Sequence, residues 1–372
     1  MDQECPIVAL LGPRQCGKTT LARQLAKKYA IPPENYFDLE DIEDLARLER
    51  PKLALSVLSG LVVIDEIQRS PELFPTLRVL ADRDDNPIKI LILGSASPLF
   101  IKQSSETLAG RISYIQLTPF SLNEVKEIDK LWMRGGFPRS YLASTTEQSY
   151  RWRKNYILTF LEKDIPSLGF NISATKLYKF WMLLTAYHGC IVNYSDLARD
   201  LQINYKTAQH YVEILHETFM VRILHPWHEN ISKRQVKSPK IYFRDSGLFH
   251  SMLGATSDSF MHRTPRLGAS WEGFALEEVI RLMDARDTEC YFWSLASGAE
   301  IDLVVMRGSE RHGFEFKYSD HPKTTKSMRS AMAHLGLKRI DVIHPGDKCF
   351  PLDEGIFATS LKSLMSKKYD SL

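Results

Sequence analysis

Residues 6–30 read PIVALLGPRQCGKTTLARQLAKKYA, and this stretch constrains the fold more than any other. Pro6 to Leu11 is an apolar run suited to a strand buried on both faces, as in a parallel sheet. Gly12, Pro13, Arg14, Gln15, Cys16, Gly17, Lys18 and Thr19 then spell the full G-x-x-x-x-G-K-[ST] pattern, with Thr20 following. Leu21, Ala22, Leu25, Ala26 and Tyr29 recur at helical spacing. Strand, glycine loop and helix stand in the order a phosphate-cradling loop requires. Small residues let backbone N–H groups wrap phosphate oxygens, and the helix N-terminus adds its positive end. Residues 12–20 are therefore expected to bind ATP. Lys18 is expected to reach the β- and γ-phosphates and Thr19 to hold Mg2+.

Further along, Leu61–Ile64 is a second apolar run that ends in Asp65-Glu66. An aspartate at a strand end is placed to hold Mg2+ through water, and Glu66 to polarise the attacking water. A third run, Ile88–Leu93, leads to Ser95, which either senses the γ-phosphate or caps a helix. Arg111 stands directly before the apolar run Ile112–Leu117. AAA-type ATPases place at that position an arginine that reaches a neighbouring copy's nucleotide and stabilises transition-state charge. The other reading of Arg111 is a helix-end cation. Strands near 6–11, 35–39, 61–65, 88–93 and 112–117 with helices between them predict an α/β fold, a three-layer parallel sheet. Their spatial order is not readable from the residues.

The middle of the chain predicts helices from about 144 to 220, with Trp152, Tyr156, Phe160, Leu161, Phe180, Trp181 and Leu184 in their core. Residues 193–224 read as a helix-turn-helix: Ser195 as cap, Gln202–Asn204 as turn, and Lys206–His216 as second helix. Ala208, Tyr211 or Val212, and Leu215 would face inward, and Lys206, Gln209, His210 and Glu213 outward. Strands at Phe219–Leu224 and Lys240–Phe243 would form a wing, with Lys233, Arg234 and Lys237 in the loop between them. Between residues 199 and 244, eight Lys/Arg face four Asp/Glu. That modest excess suits contacts to DNA phosphates, and equally a solvated or protein-binding face.

Net charge is only +3, so any basic surface is local. No apolar run reaches the roughly 18–20 residues that span a bilayer. A signal peptide is lacking at the start, and five cysteines without C-x-x-C spacing suggest reduced thiols. The expectation is a cytoplasmic protein with no membrane partner.

Near the end, GASWEGFALEEVIRLM reads as an amphipathic helix with Trp271, Phe274, Ala275, Val279 and Leu282 inward and Glu272 near its start. Two strands are expected after it, Ile301–Met306 and His312–Lys317, joined through Arg307–Gly308–Ser309. Period-two alternation puts Glu315 and Lys317 on one face. Asp302 and Glu315 could then converge on one Mg2+ or Mn2+, with Lys317 beside an attacking water. A solvated charged hairpin is the other reading, and Glu277 and Glu300 add carboxylates nearby.

Together LLGPRQCGKTTLA, YFDLED, VVIDEIQRSPELFP, LGSAS, LAGRI, GGFPRSYL, YILTFLEKDI, SPKIYFRDSGL, GASWEGFALEEVI and GAEIDLVV…FEFK resemble a family of prokaryotic AAA-type ATPases with a C-terminal restriction-endonuclease-like domain, of PD-(D/E)XK type. The resemblance spans nearly the whole chain. It implies an ATPase core at 1–120, a helical lid at 121–175, a winged helix at 176–250 and a nuclease-like α/β domain at 262–372. Glu272, Asp302, Glu315 and Lys317 match the nuclease-like pattern position by position. It also implies a homo-oligomer through the ATPase domain, and a Gly-Gly-x-Pro turn similar to one with which signalling NTPases sense phosphate. Relatives carry a short segment before the first strand; with five residues there, the adenine side is expected to be incompletely walled. Two functions stay open: an ATP-hydrolysing enzyme acting on DNA, or a nucleotide switch whose C-terminal domain binds a partner and does not cut.

Overall fold

Every residue from Ile7 to Leu11 is buried, because both faces of this strand are covered. In the computed structural model, residues 5–83, 88–96, 108–228, 237–257 and 263–365 are described. The chain divides into two units. The first comprises Met1–Pro119, Thr159–Ile172 and Glu213–Met220; the second comprises Phe120–Leu158, Ser173–Val212 and Val221–Leu372.

The first unit is built on β1 (Ile7–Leu11), β2 (Tyr36–Asp38), β3 (Gly60–Asp65), β4 (Ile88–Gly94) and β5 (Ile112–Gln116). All pairings are parallel, in the order β2-β3-β4-β1-β5. Alternation along each strand divides the core into two layers. Ile7, Ala9, Ile64, Ile90 and Ile92 pack on one face. Val8, Leu10, Val63, Leu91 and Leu93 pack on the other, with Leu21, Ala22 and Leu25 of the helix Lys18–Lys28. Tyr29, expected inward, is 62% exposed: it lies just past the last helical turn, where the 3.6-residue register ends. Parallel strands share one carboxyl edge, so the residues after β1, β3 and β4 gather there. Arg111 precedes β5 and its carbonyl accepts from the Ile7 amide, at the opposite edge.

The second unit carries β6 (Cys190–Ile191), β7 (Val221–Pro226), β8 (Lys240–Phe243), β9 (Cys290–Ser294), β10 (Glu300–Arg307), β11 (Glu310–Phe316), β12 (Ile340–His344), β13 (Phe350–Asp353) and β14 (Ile356–Ser360). They form one sheet, ordered β13-β14-β12-β11-β10-β9-β7-β8-β6. β9, β10 and β11 are an antiparallel meander, and β12 lies parallel to β11 after the helix Lys326–Leu335. The short parallel pairing of His225 and Pro226 with Tyr291 and Phe292 makes β7 continuous with β9. The stretches expected as separate domains at 176–250 and 262–372 thus share a sheet.

Helices at Tyr194–Asp200 and Tyr205–Glu217 precede β7 and β8. Asn193, not Ser195, caps the first: its side chain accepts from the amides of Ser195 and Asp196. The turn passes through Gln202 in left-handed backbone, and Ala208, Tyr211, Val212 and Leu215 are all buried. The expected strand start at Phe219 shifts to Val221 because Phe219 itself turns left-handed. Of the expected helical core, Trp152 alone is only half-buried.

The helix Leu267–Leu282 is less one-sided than its pattern implies. Leu282 is half-buried, whereas Glu277 and Glu278 are buried. Arg222 on β7 reaches Glu277 and Asp287, each at 2.5 Å, and Arg281 reaches Glu278 at 2.5 Å. Burial opposes charge on both Arg222 and Glu277, yet Asp287 and Glu277 raise the arginine's pKa and Arg222 lowers the Glu277 carboxyl's. Removing one partner of a buried ion pair strands the other, at about 3–5 kcal/mol. Arg222→Ala is therefore expected to lower unfolding stability by about that amount, read by denaturant titration; a shift under about 1 kcal/mol, the surface-pair range, would mean Glu277 is not relying on it.

Candidate functional site

The loop after β1 is shaped by two glycines. A Cβ on Gly12 would meet the Leu117 carbonyl oxygen at 2.1 Å, so no side chain fits. Gly17 takes φ 117° and starts the helix Lys18–Lys28. Pro13 and Cys16 are buried, with the Cys16 thiol aimed at the Leu117 carbonyl 3.6 Å away. Burial pushes that thiol's pKa up, so Cys16 packs the loop as a neutral group. Gln15 and Thr20 are exposed. Lys18 is buried and donates to the carbonyls of Gly12 and Pro13, both at 2.9 Å.

Asp65 ends β3 in register with Asp38 of β2. Burial raises its pKa, and a hydrogen bond from Thr19 opposes that rise. Glu66 is in left-handed backbone, φ 56°, and its amide donates to Asp65 Oδ1 at 2.9 Å. Its Oε2 accepts from Gln68 Nε2 and from the Ser95 hydroxyl at 3.4 Å. The Ser95 amide donates to Gln68 Oε1 at 3.3 Å. Glu66, Gln68 and Ser95 thus form a closed ring across the neighbouring ends of β3 and β4.

Arg14 leaves the loop to pair with Asp164 at 2.5 Å and with Glu40. Burial works against its charge, but Asp164, Glu40 and Glu66 outweigh that and raise its pKa. Asp164 closes a turn of π-helix, Phe160–Asp164, and its own pKa is raised by burial despite Arg14. Arg14, Glu66, Gln68, Ser95, Phe160 and Asp164 line one cavity. Glu40 and Asp164 stand inside stretches already quoted, YFDLED and YILTFLEKDI, but nothing in local spacing ties them to a loop 26 or 150 residues away. Gln68 is equally silent in the sequence. Thr19 and Asp65 supply adjacent oxygens, a donor set that fits Mg2+. Arg111 pairs with Asp82 at 2.5 Å, and that contact raises its pKa.

The second unit brings Glu272, Asp302, Glu315 and Lys317 into one cluster. Lys317 lies 2.8 Å from Glu315 Oε1, and Asp302 Oδ2 accepts from the Phe316 amide at 3.1 Å. Burial, then the charge of Asp302, raises the carboxyl pKa of both Glu272 and Glu315. Glu277 is drawn away to Arg222. Lys240, a residue the sequence did not single out for this cluster, enters it from β8 at 3.3 Å from Asp302 and 2.8 Å from Glu300. Tyr242 donates its hydroxyl to Glu272 at 2.7 Å. Glu315 Oε2 is buried without a partner, as a metal ligand would be. Even so, a divalent ion does not fit this arrangement. An ammonium stands 3.3 Å from Asp302, one of the two carboxylates that a shared ion would have to use.

The Gly-Gly-x-Pro turn belongs to the second unit, where the Gly136 amide donates to Asp245 at 2.8 Å and Asp245 caps the helix Ser246–Met252. Lys206, His210 and Lys237 are exposed, and Lys233 and Arg234 lie outside the described residues. Among the described residues no helix is long and apolar enough to cross a membrane.

Three family models match the chain: an AAA domain at residues 4–126, a domain of unknown function (DUF8612) at 125–259, and another (DUF4143) at 267–364. A Thermotoga maritima RuvB variant is 20% identical over 58% of this chain and 81% of its own, with a TM-score of 0.28, too low to add to that result. The uncharacterized proteins Rv2008c of Mycobacterium tuberculosis and Mb2031c of Mycobacterium bovis are each 44% identical over 363 residues, covering 97% of this chain and 81% of theirs. The chain belongs to the family of these mycobacterial proteins, and its first unit carries an AAA-type P-loop NTPase domain.

Proposed function

We propose that the chain hydrolyses ATP with Mg2+ at the carboxyl edge of the five-stranded sheet, and that the nucleotide state controls what the second unit binds. One observation carries this reading: Lys18, Thr19, Asp65, Glu66 and Ser95, drawn from three separate strand ends, meet at one edge. Water attacks the γ-phosphorus, the bond to the β–γ bridging oxygen breaks, and ADP and phosphate leave. Glu66 orients that water and takes its proton. Gln68 and Ser95 hold the Glu66 carboxylate in place. Lys18 exchanges its bonds to the Gly12 and Pro13 carbonyls for phosphate oxygens. Thr19 and Asp65 would hold Mg2+, which would neutralise phosphate charge when bound. Arg111 stands at the far edge from its own loop, so it serves a neighbouring copy's site, and a homo-oligomer follows. A γ-phosphate draws Arg14 from Asp164, a residue in a chain segment flanked in sequence by second-unit residues on both sides.

A winged-helix reading of residues 194–243, helices at 194–200 and 205–217 and then the β7–β8 hairpin, suits DNA. Lys206 and Lys237 are exposed, as is Arg199, which pairs with Asp196, and Lys233 and Arg234 belong to the same reading. The succession of helix, meander, helix and parallel strand supports a nuclease-like reading of residues 267–344, but Lys240 in the acidic cluster favours binding without cutting. Binding to duplex DNA is expected to be weak, with each lost phosphate contact flattening the log–log salt slope by roughly 0.9. Charge reversal of Lys206, Lys233, Arg234 and Lys237 together, measured by fluorescence anisotropy at several salt concentrations, tests this. Unchanged affinity would point to a protein partner on this face.

A further inference from the structure

The carboxylate cluster of the second unit already contains a cation. Lys240 is 2% exposed, and its Nζ lies 2.8 Å from Glu300 Oε1, 3.3 Å from Asp302 Oδ1 and 4.0 Å from Glu272 Oε1. The ring of Phe292 stands 5.5 Å away and closes another side. Burial alone would strip a lysine of its charge; here Asp302, Glu272 and Glu300 outweigh burial and raise its pKa. Two residues on along the same strand, and therefore on the same face, Tyr242 donates to Glu272. β8 thus supplies both an ammonium and a hydroxyl to one acidic group. The strand is paired on both edges, to β6 and β7, which fixes where that ammonium is delivered.

We infer that Lys240 is the resident cation of this cluster and keeps divalent metal out of it. Asp302 is the carboxylate that any metal shared with Glu315 must use, and its two oxygens are committed to Lys240 and to the Phe316 amide. A divalent ion bound there would face the ammonium at close range in a poorly screened interior, so one cation excludes the other. This deepens the non-cutting reading of the second unit and is independent of ATP turnover.

The test is Mn2+ binding to the nucleotide-free full chain, followed by the electron paramagnetic resonance signal of free Mn2+. The wild type is expected to show no Asp302-dependent site up to ~1 mM Mn2+, the weak end for an oxygen-ligand protein site. Lys240→Gln is expected to gain one site at least ~10-fold tighter once like-charge repulsion is removed, and Lys240→Gln with Asp302→Asn to lose it. A wild type that binds one Mn2+, lost in Asp302→Asn, overturns the inference. So does a folded Lys240→Gln chain that binds none. Should Lys240→Gln fail to fold, the wild type against Asp302→Asn decides alone: an Asp302-dependent site refutes the inference, and none sustains it. Because metal rather than turnover is read, an inactive ATPase would leave this result unaffected.

Discussion

Glu66→Gln is expected to keep ATP binding and to lose hydrolysis by at least about 100-fold, the lower range for removing a general base. The amide preserves the size of the side chain and can still meet Gln68 and Ser95, which hold Glu66 Oε2. What it cannot do is take the proton of the attacking water. Lys18→Ala should behave differently. Lys18 is the buried cation of the loop, bonded to two loop carbonyls when no phosphate is present. Its loss removes the charge that meets the β- and γ-phosphates, so ATP binding itself should disappear. Equilibrium binding of a fluorescent ATP analogue, with phosphate release measured in parallel, separates the two. Undiminished turnover in Glu66→Gln would remove Glu66 from its role. Gln68→Ala, with Glu66 held by Ser95 alone, should fall between the wild type and Glu66→Gln in turnover and leave ATP affinity unchanged.

Arg111→Ala is expected to lower turnover by about 10³-fold with little change in ATP affinity, since an arginine of this kind acts in the transition state. Geometry makes the expectation specific. Arg111 lies before β5, and the phosphate loop lies after β1 at the other end of the same parallel sheet. It therefore cannot serve its own site. Its bond to Asp82 is at a partly exposed position and is easily exchanged. Turnover per chain should rise with protein concentration. Mixing Arg111→Ala with Glu66→Gln should restore activity above either alone, because one copy's intact loop would meet the other's arginine. A rate per chain that depends on neither concentration nor Arg111 would instead describe a monomeric switch.

The first unit was largely legible. Apolar runs of strand length, bounded by the glycine loop and by Asp65-Glu66, placed all five strands within a residue or two of where they lie. Their order was not legible, because β1, β3 and β4 are apolar on both faces and carry no mark of their neighbours. That order makes Ser95 adjacent to Glu66, since β4 lies beside β3. Capping was misjudged at Ser195 because Asn193 competes two residues earlier, and an asparagine oxygen reaches the same amides. Helix periodicity failed at residues 267–282, where Glu277 and Glu278 look like solvent-facing charges but meet Arg222 and Arg281. The Glu278–Arg281 pair is local, but Arg222 lies 55 residues from Glu277 and leaves no trace beside it. Lys240 is the sharpest case: it read as one more charge of a basic stretch, yet it is buried 62 residues away from the aspartate it neutralises.

The most direct test of the central claim is one assay: phosphate release from ATP with Mg2+ by the purified chain, with and without duplex DNA, the DNA then being examined for length. Turnover that rises with DNA and is lost in Glu66→Gln, with the DNA recovered intact, is the expected result. No ATP turnover in either condition, or DNA shortened by the wild type and spared by Asp302→Ala, would contradict it.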